Sequence, residues 1–216
     1  HDLVFFDYGN IDMFDVYPEG QLIMEDGQAV FNQIAGTFKL TENEQQDAEL
    51  SKSHASEKNE NAEPVILVDL ATNGLSRHST NLKGETYREI QFFSHVIHLV
   101  SKVTGIKKEN TDTMQIVADT FPAGTLSGAP KHSAMTLIEK YENVNRSAYG
   151  GAIGFMDFNG NYNHAIIIRS FVSKNHQLHY QAGAGIVSGS KEENELQEVY
   201  NKLGALTKAL EIAEEI

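Results

Sequence analysis

Short apolar runs separated by turn residues fill the first 34 positions. Leu3–Tyr8, Met13–Val16, Leu22–Met24 and Ala29–Ile34 are parted by Gly9-Asn10, Pro18-Glu19-Gly20 and Asp26-Gly27. That pattern predicts a meander of short antiparallel strands. Residues 42–63 are polar and acidic, with no Gly or Pro before Pro64, and predict a solvated helix. The compact apolar run Val65–Leu70 predicts a buried strand, with Asn73-Gly74 as a turn after it. Residues 87–105, rich in Phe, Val, Ile and His, read as strands. Thr111–Thr120 and Ala134–Glu142 read as helices on either side of the loop from Phe121 to Lys131.

Further on, Gly154–Phe158 and Tyr162–Ser170 flank Asn159-Gly160, the signature of a hairpin with a two-residue turn, and Leu178–Ala182 would add a third strand. The last helix opens on Ser190 and Glu193, an S-x-x-E capping box. Leu196, Val199, Leu203, Leu206 and Leu210 then recur at spacings of 3, 4, 3 and 4, forming one apolar stripe. With no internal repeat and no low-complexity linker, residues 1–216 read as one α+β domain, mostly antiparallel.

Composition narrows the function. Seventeen basic against thirty acidic residues give a net charge of -13, which argues against nucleic acid and against an anionic membrane as partners. No apolar run approaches the roughly 18–20 residues needed to span a bilayer. Zero cysteines exclude disulfides, thiolate nucleophiles and zinc-finger or iron–sulfur sites. A cytoplasmic setting fits this. The chain opens at His1 in a strand-like run, has nothing resembling a signal peptide, and reads as a piece of a longer protein.

Several features carry chemistry. Glu60/Glu63 and Glu195/Glu198 are carboxylate pairs three residues apart, so each pair faces one side of a helix. Four such oxygens suit a hard cation such as Mg²⁺, although a solvated helix face has the same spacing. The loop Gly124–Lys131 leads into a helix whose free N–H groups could receive an anion, but it lacks the phosphate-loop pattern. Gly183-Ala184-Gly185 precedes the last helix, where backbone could approach a ligand or simply turn. Arg169 sits in the apolar run Ile166-Ile-Ile-Arg-Ser, where a buried guanidinium needs an anion, a carboxylate or a surface acid. His98 lies in Val96-Ile-His-Leu-Val, and none of the nine histidines makes a zinc pattern. Together these describe a pocket for a small anion bearing carboxylates.

At this resolution the motifs resemble a known family. Ile34-Ala-Gly-Thr37, Phe93–Ser101, Pro122–Lys131, Tyr149-Gly-Gly-Ala-Ile-Gly154 and Gln181–Val187 are similar to those of the chorismate-binding enzymes, most closely the branch of the large subunit of anthranilate synthase. The resemblance covers essentially the whole chain, in order, as the C-terminal half of a longer subunit. It implies an incomplete α+β fold of antiparallel sheets packed face to face with helices outside.

The resemblance also implies the site. Glu60, Glu63, Glu195 and Glu198 would hold Mg²⁺ against the ring carboxylate of chorismate, with Glu63 and Glu198 as direct ligands and Lys202 meeting the same carboxylate. Tyr149 and Arg169 would grip the enolpyruvyl carboxylate, and Thr125, Gly183 and Gly185 would contact the substrate. Glu19 matches the family's general acid, which protonates the departing C4 hydroxyl. Thr37 and His98 complete the catalytic set, His98 being associated with pyruvate elimination. Ala35 stands where lysine-dependent aminodeoxychorismate synthases carry a nucleophile, which favours anthranilate synthesis.

The implied function is amination of chorismate at C2, then loss of pyruvate to give anthranilate in tryptophan biosynthesis. Ammonia would come from glutamine through a glutamine amidotransferase subunit, and a homo- or hetero-oligomer is open. The alternatives are aminodeoxychorismate or isochorismate synthesis, or a non-catalytic chorismate-binding fragment. Departures from the family pattern cluster in the first third: Val16-Tyr17 before Pro18-Glu19, Gln33, Thr72, Gly74, and Pro64 after Glu63. Pro64 is expected to push Glu63 out of the α region.

Overall fold

The computed structural model describes residues 2–17, 20–39, 62–92 and 96–215. The solvated helix expected over 42–63 therefore lies, but for its last two residues, outside the described residues. The chain forms two compact units, one of residues 1–20, 125–153 and 165–216, the other of 21–124 and 154–164.

Strands β3 (Leu22–Glu25), β4 (Gln28–Lys39), β5 (Ser79–Phe92) and β6 (Val96–Lys107), all of the second unit, share with β7 (Ala152–Met156) and β8 (Tyr162–Ile166) a sheet of order β5-β6-β4-β3-β8-β7. Helices α1 (Ala62–Ser76) and α2 (Thr113–Thr120) cover one face of it. Val68, Ala71 and Leu75 of α1 and Ile116 and Val117 of α2 pack on Leu22, Met24, Ala29, Phe31 and Val103. Leu75 is fully buried, so truncating it to alanine would cost about 2–5 kcal/mol.

Helix α1 corrects three expectations. Val65–Leu70 is helical rather than a strand, because a short apolar run carries no period of its own and its continuation to Leu75 falls on a helical face. Asn73-Gly74 is not a turn but part of this helix. A Cβ on Gly74 would come within 3.1 Å of the Asp119 carbonyl oxygen and of the Thr120 side chain, so glycine permits the close approach of α1 to α2. Glu63 keeps helical backbone despite Pro64, which lies in the first turn, where the missing N–H has no intrahelical acceptor anyway. The helix ends where Lys108 Nζ donates to the carbonyls of Ser76 (3.1 Å) and Arg77 (2.7 Å). Helix α2 begins on a capping box in which Asp112 accepts from Met114 N–H and Gln115 accepts from Asp112 N–H.

The first unit holds β1 (Asp2–Asp7), β2 (Ile11–Tyr17), β9 (Phe171–Lys174) and β10 (Gln177–His179) in a sheet of order β1-β2-β9-β10. Met13, Ile153 and Ile167 form its small core, with Phe6, Ile11, Ala148 and Val172 packed against them. The expected N-terminal meander is thus two antiparallel hairpins, β1–β2 and β3–β4, in different sheets. Helices α3 (Gly124–Ser127), α4 (Lys131–Tyr141) and α5 (Glu192–Glu214) complete the chain.

Three local expectations also change. The β7–β8 connection is a five-residue loop rather than an Asn-Gly two-residue turn. Asp157 accepts from the backbone of Asn159 (2.8 Å) and Asn161 (2.9 Å) and so organises the wider loop. The expected strand over Leu178–Ala182 is β10, which ends at His179 and pairs with β9 rather than with the preceding hairpin. Helix α5 is capped at Lys191 without a side-chain bond, because the Ser190 hydroxyl instead accepts from Val187 N–H (3.0 Å). Of its leucine stripe only Leu206 is buried, and Leu196 is 52% exposed. The α+β class with antiparallel pairing holds throughout the registered strands.

Candidate functional site

The expected site residues fall on both units. Glu19 and Glu60 lie outside the described residues, and Thr37, Glu63 and His98 are described in backbone only, on β4, α1 and β6. Thr37 and His98 are Cα partners in the β4–β6 register. Thr125, Tyr149, Arg169, Gly183, Gly185, Glu195, Glu198 and Lys202 belong to the first unit.

Arg169 is not within a strand. Chain β8 ends at Ile166, and Arg169 follows in a bend with left-handed backbone, φ 55°. That conformation is uncommon for a side chain with a Cβ and marks a constrained position. Two neighbouring pairings fix the approach: Gly150 N–H donates to Ile167 O (2.8 Å) and Ile167 N–H to Gly151 O (2.9 Å). Tyr149 and Arg169 consequently line the same cavity, of about 940 Å³, with apolar walls from Ile11, Met13, Val172 and Leu178. Burial pulls the Arg169 pKa below the ordinary arginine value, yet guanidinium stays charged at neutral pH. Among the described residues no acid pairs with it, which leaves its fork for a ligand anion.

A continuous line of contacts connects most of the other residues. Lys202 Nζ donates to the Gly183 carbonyl (2.8 Å) and pairs with Glu198 Oε1 (2.6 Å). The Tyr149 hydroxyl lies beside Gly183, 3.4 Å from where a Cβ on that glycine would sit. Burial raises the Tyr149 pKa, against the lowering pull of Arg146 and of the Gly183 backbone, so the phenol stays protonated at neutral pH. The Arg146 guanidinium lies 5.8 Å from the Tyr149 ring centroid and donates through Nη1 to Leu126 O (2.7 Å), next to the exposed Thr125. Tyr149, Gly183, Lys202 and Glu198 thus follow one another as near neighbours.

Arg146 and its partner Glu142 were not among the expected site residues. Glu142 accepts twice, from Nε (2.9 Å) and Nη2 (2.6 Å), and this bidentate bond holds its carboxyl below the usual range. The opposite charges at i and i+4 are readable in the sequence, but they fall just beyond the end of α4.

Glu195 and Glu198 are three apart on α5, Glu195 half-buried and Glu198 exposed. Their hard oxygen donors suit a divalent cation, and Glu198 already carries a positive group in Lys202. Among the described residues no three His, Asp or Glu side chains cluster as a metal site, Glu60 and Glu63 being outside that comparison. Gly185 is exposed, and a Cβ there would meet nothing within 4 Å.

The chain thus combines antiparallel sheets and helices with a cavity lined by Tyr149 and Arg169. The sequence pattern of the chorismate binding enzymes matches residues 3–208, and the chain belongs to that family. It is 40% identical over 215 residues to anthranilate synthase component 1 of Aquifex aeolicus, covering 99% of this chain and 44% of that protein. The crystal structure of anthranilate synthase component I from Streptococcus pneumoniae superposes with a TM-score of 0.85 at 37% identity, over 93% of this chain and 45% of that one. The menaquinone-specific isochorismate synthase of Escherichia coli gives 0.84 at 22% identity, over 92% and 46%, and shows the shared fold alone. The chain thus spans less than half the length of these relatives.

Proposed function

We propose that the chain carries the chorismate-converting part of an anthranilate synthase large subunit. Relatives of that name at 40% and 41% identity support the branch, as does Ala35, which cannot act as a nucleophile. The observation that carries the reading is Arg169, a charged, half-buried guanidinium without an acid partner among the described residues, sharing a cavity with Tyr149. In this reading the two grip the enolpyruvyl carboxylate, and the apolar wall accepts the uncharged part of the substrate.

Glu195 and Glu198, with Glu60 and Glu63, would hold Mg²⁺, which supplies charge for the ring carboxylate and a template for orientation. Lys202, fixed by Gly183, would meet that carboxylate as it leaves Glu198. Glu19 would protonate the C4 hydroxyl as ammonia adds at C2, giving water; His98, with Thr37 beside it, would assist the later loss of pyruvate. Ammonia would come from a glutamine amidotransferase partner, in the cytoplasm. No described helix is long and apolar enough to cross a membrane.

A second reading, a chorismate-binding piece without turnover of its own, is favoured by uncovered apolar surface: α4 has no buried residue, and Leu137 and Tyr141 are 53% and 67% exposed. Calorimetric titration with chorismate in Mg²⁺ tests the binding common to both. Saturable binding to the wild type that weakens at least about tenfold in Arg169→Gln is expected, from loss of a bidentate carboxylate contact. Equal affinity in both proteins would overturn the assignment of Arg169.

A further inference from the structure

Two arginines line the cavity of the first unit, and they differ in what they carry. Arg146 is neutralised by Glu142 through two short hydrogen bonds, whereas Arg169 has no acid partner among the described residues. A guanidinium offers five N–H donors in a rigid plane. Arg146 uses its Nε and Nη2 on Glu142 and its Nη1 on Leu126 O, with the Tyr149 ring 5.8 Å away. Tyr149 N–H also donates to Arg146 O (2.9 Å). The residue therefore ties the end of α4, the end of α3 and Tyr149 together while adding no net charge to the cavity.

We infer that Arg146 is a positioning residue: it fixes Tyr149 and the Thr125–Leu126 turn at the carboxylate end of the substrate, leaving Arg169 as the group that binds it. The inference rests on the chorismate reading above. Such a residue acts through the pose of others, so its loss weakens binding more than it slows the bond-breaking steps.

The test uses the 216-residue chain with ring-labelled tyrosines. Tyr149→Phe assigns the Tyr149 resonance, which is then followed in Arg146→Gln and Arg146→Lys, alongside steady-state kinetics with chorismate, Mg²⁺ and ammonium. The expected result for Arg146→Gln is a displaced Tyr149 resonance with KM for chorismate up about tenfold and kcat down by no more than about twofold, as for loss of ground-state binding. Arg146→Lys, which keeps the charge but not the fork, should fall between it and the wild type; it carries the same test if Arg146→Gln does not fold. An unmoved Tyr149 resonance, or a fall in kcat with KM unchanged, overturns the inference. A wild-type chain inert toward chorismate overturns the functional reading, and the substrate half of the inference with it. An unmoved resonance in an active chain overturns the inference alone.

Discussion

Thr37 and His98 are Cα partners across β4 and β6, just past a point where β4 carries one residue more than β6. Ile34 pairs with Val100 and Gly36 with Leu99, so Ala35 has no partner and forms a β-bulge. Were Ala35 paired with Leu99 instead, the register would set Gly36 opposite His98. Bulges re-aim strands, and this one decides which residue of β4 stands opposite His98 in the register.

Deletion of Ala35 should remove the bulge yet keep Thr37 opposite His98, since Ile34, Gly36 and Thr37 then follow Val100, Leu99 and His98 in unbroken register. Turnover of chorismate should therefore stay within about tenfold of the wild type on the proposed reading. The thermal midpoint, measured beside it, separates an effect on the site from unfolding; a fall of about hundredfold in a folded variant, the scale of a small misplacement of reacting groups, would show that the bulge and not the Thr37–His98 pairing is what turnover needs.

Two glycines should respond oppositely to alanine. At Gly154 a Cβ would overlap the Asn163 carbonyl oxygen and come within 2.7 Å of His164 Cα, backbone that cannot yield cheaply. Gly154→Ala should cost more than about 2 kcal/mol by overpacking, read by denaturant unfolding. Gly185→Ala meets no protein atom within 4 Å, so stability should hold while KM for chorismate rises. Parallel effects in the two variants would remove Gly185 from the substrate surface.

His164 makes the second unit acid-sensitive. It is 1% exposed, bonds Gln21 Oε1 through Nε2 at 2.9 Å, and its Nδ1 has no partner. Burial lowers its pKa from 6.5 to about 4. The folded state thus disfavours the proton: stability from the neutral ring is full above about pH 6.5 and is lost as pH falls toward 4. The shift corresponds to about 3 kcal/mol at most. Urea unfolding of the wild type and of His164→Gln at pH 7 and 4.5 should show a steeper loss for the wild type, and equal slopes would exclude His164 as the sensor.

Some of this was legible in the sequence and some was not, for physical reasons. Tyr149, Arg169, Gly183 and Lys202 sit in motifs whose order survives folding, and the structure brings Tyr149, Gly183 and Lys202 into one line of contacts. The left-handed backbone of Arg169 left no trace, because arginine is not a residue that announces it. Helix α1 was hidden by a short apolar run and by Gly74, whose missing side chain serves packing on α2 rather than a turn. The Ser190 capping box failed because the hydroxyl found the nearer Val187 N–H. Nor does a bulge at Ala35 show in a pattern of apolar and polar residues, since it is a property of two strands together.

Removing the Lys202 ammonium should leave Glu198 unpaired. Lys202→Met takes the cation from Glu198, while Gly183 O loses its donor. On the proposed reading, chorismate binding weakens by about tenfold or more from loss of a charge-assisted contact. Titration calorimetry in Mg²⁺ checks this, and unchanged affinity would take Lys202 out of the site.

The central claim meets its most direct test in product analysis. The chain is incubated with chorismate, Mg²⁺ and ammonium at mildly alkaline pH, and products are separated and quantified. The account predicts anthranilate and pyruvate in equal amounts, both abolished by EDTA and restored by added Mg²⁺. Isochorismate or aminodeoxychorismate as the sole product, or intact chorismate in the presence of folded, metal-supplied chain, would contradict it.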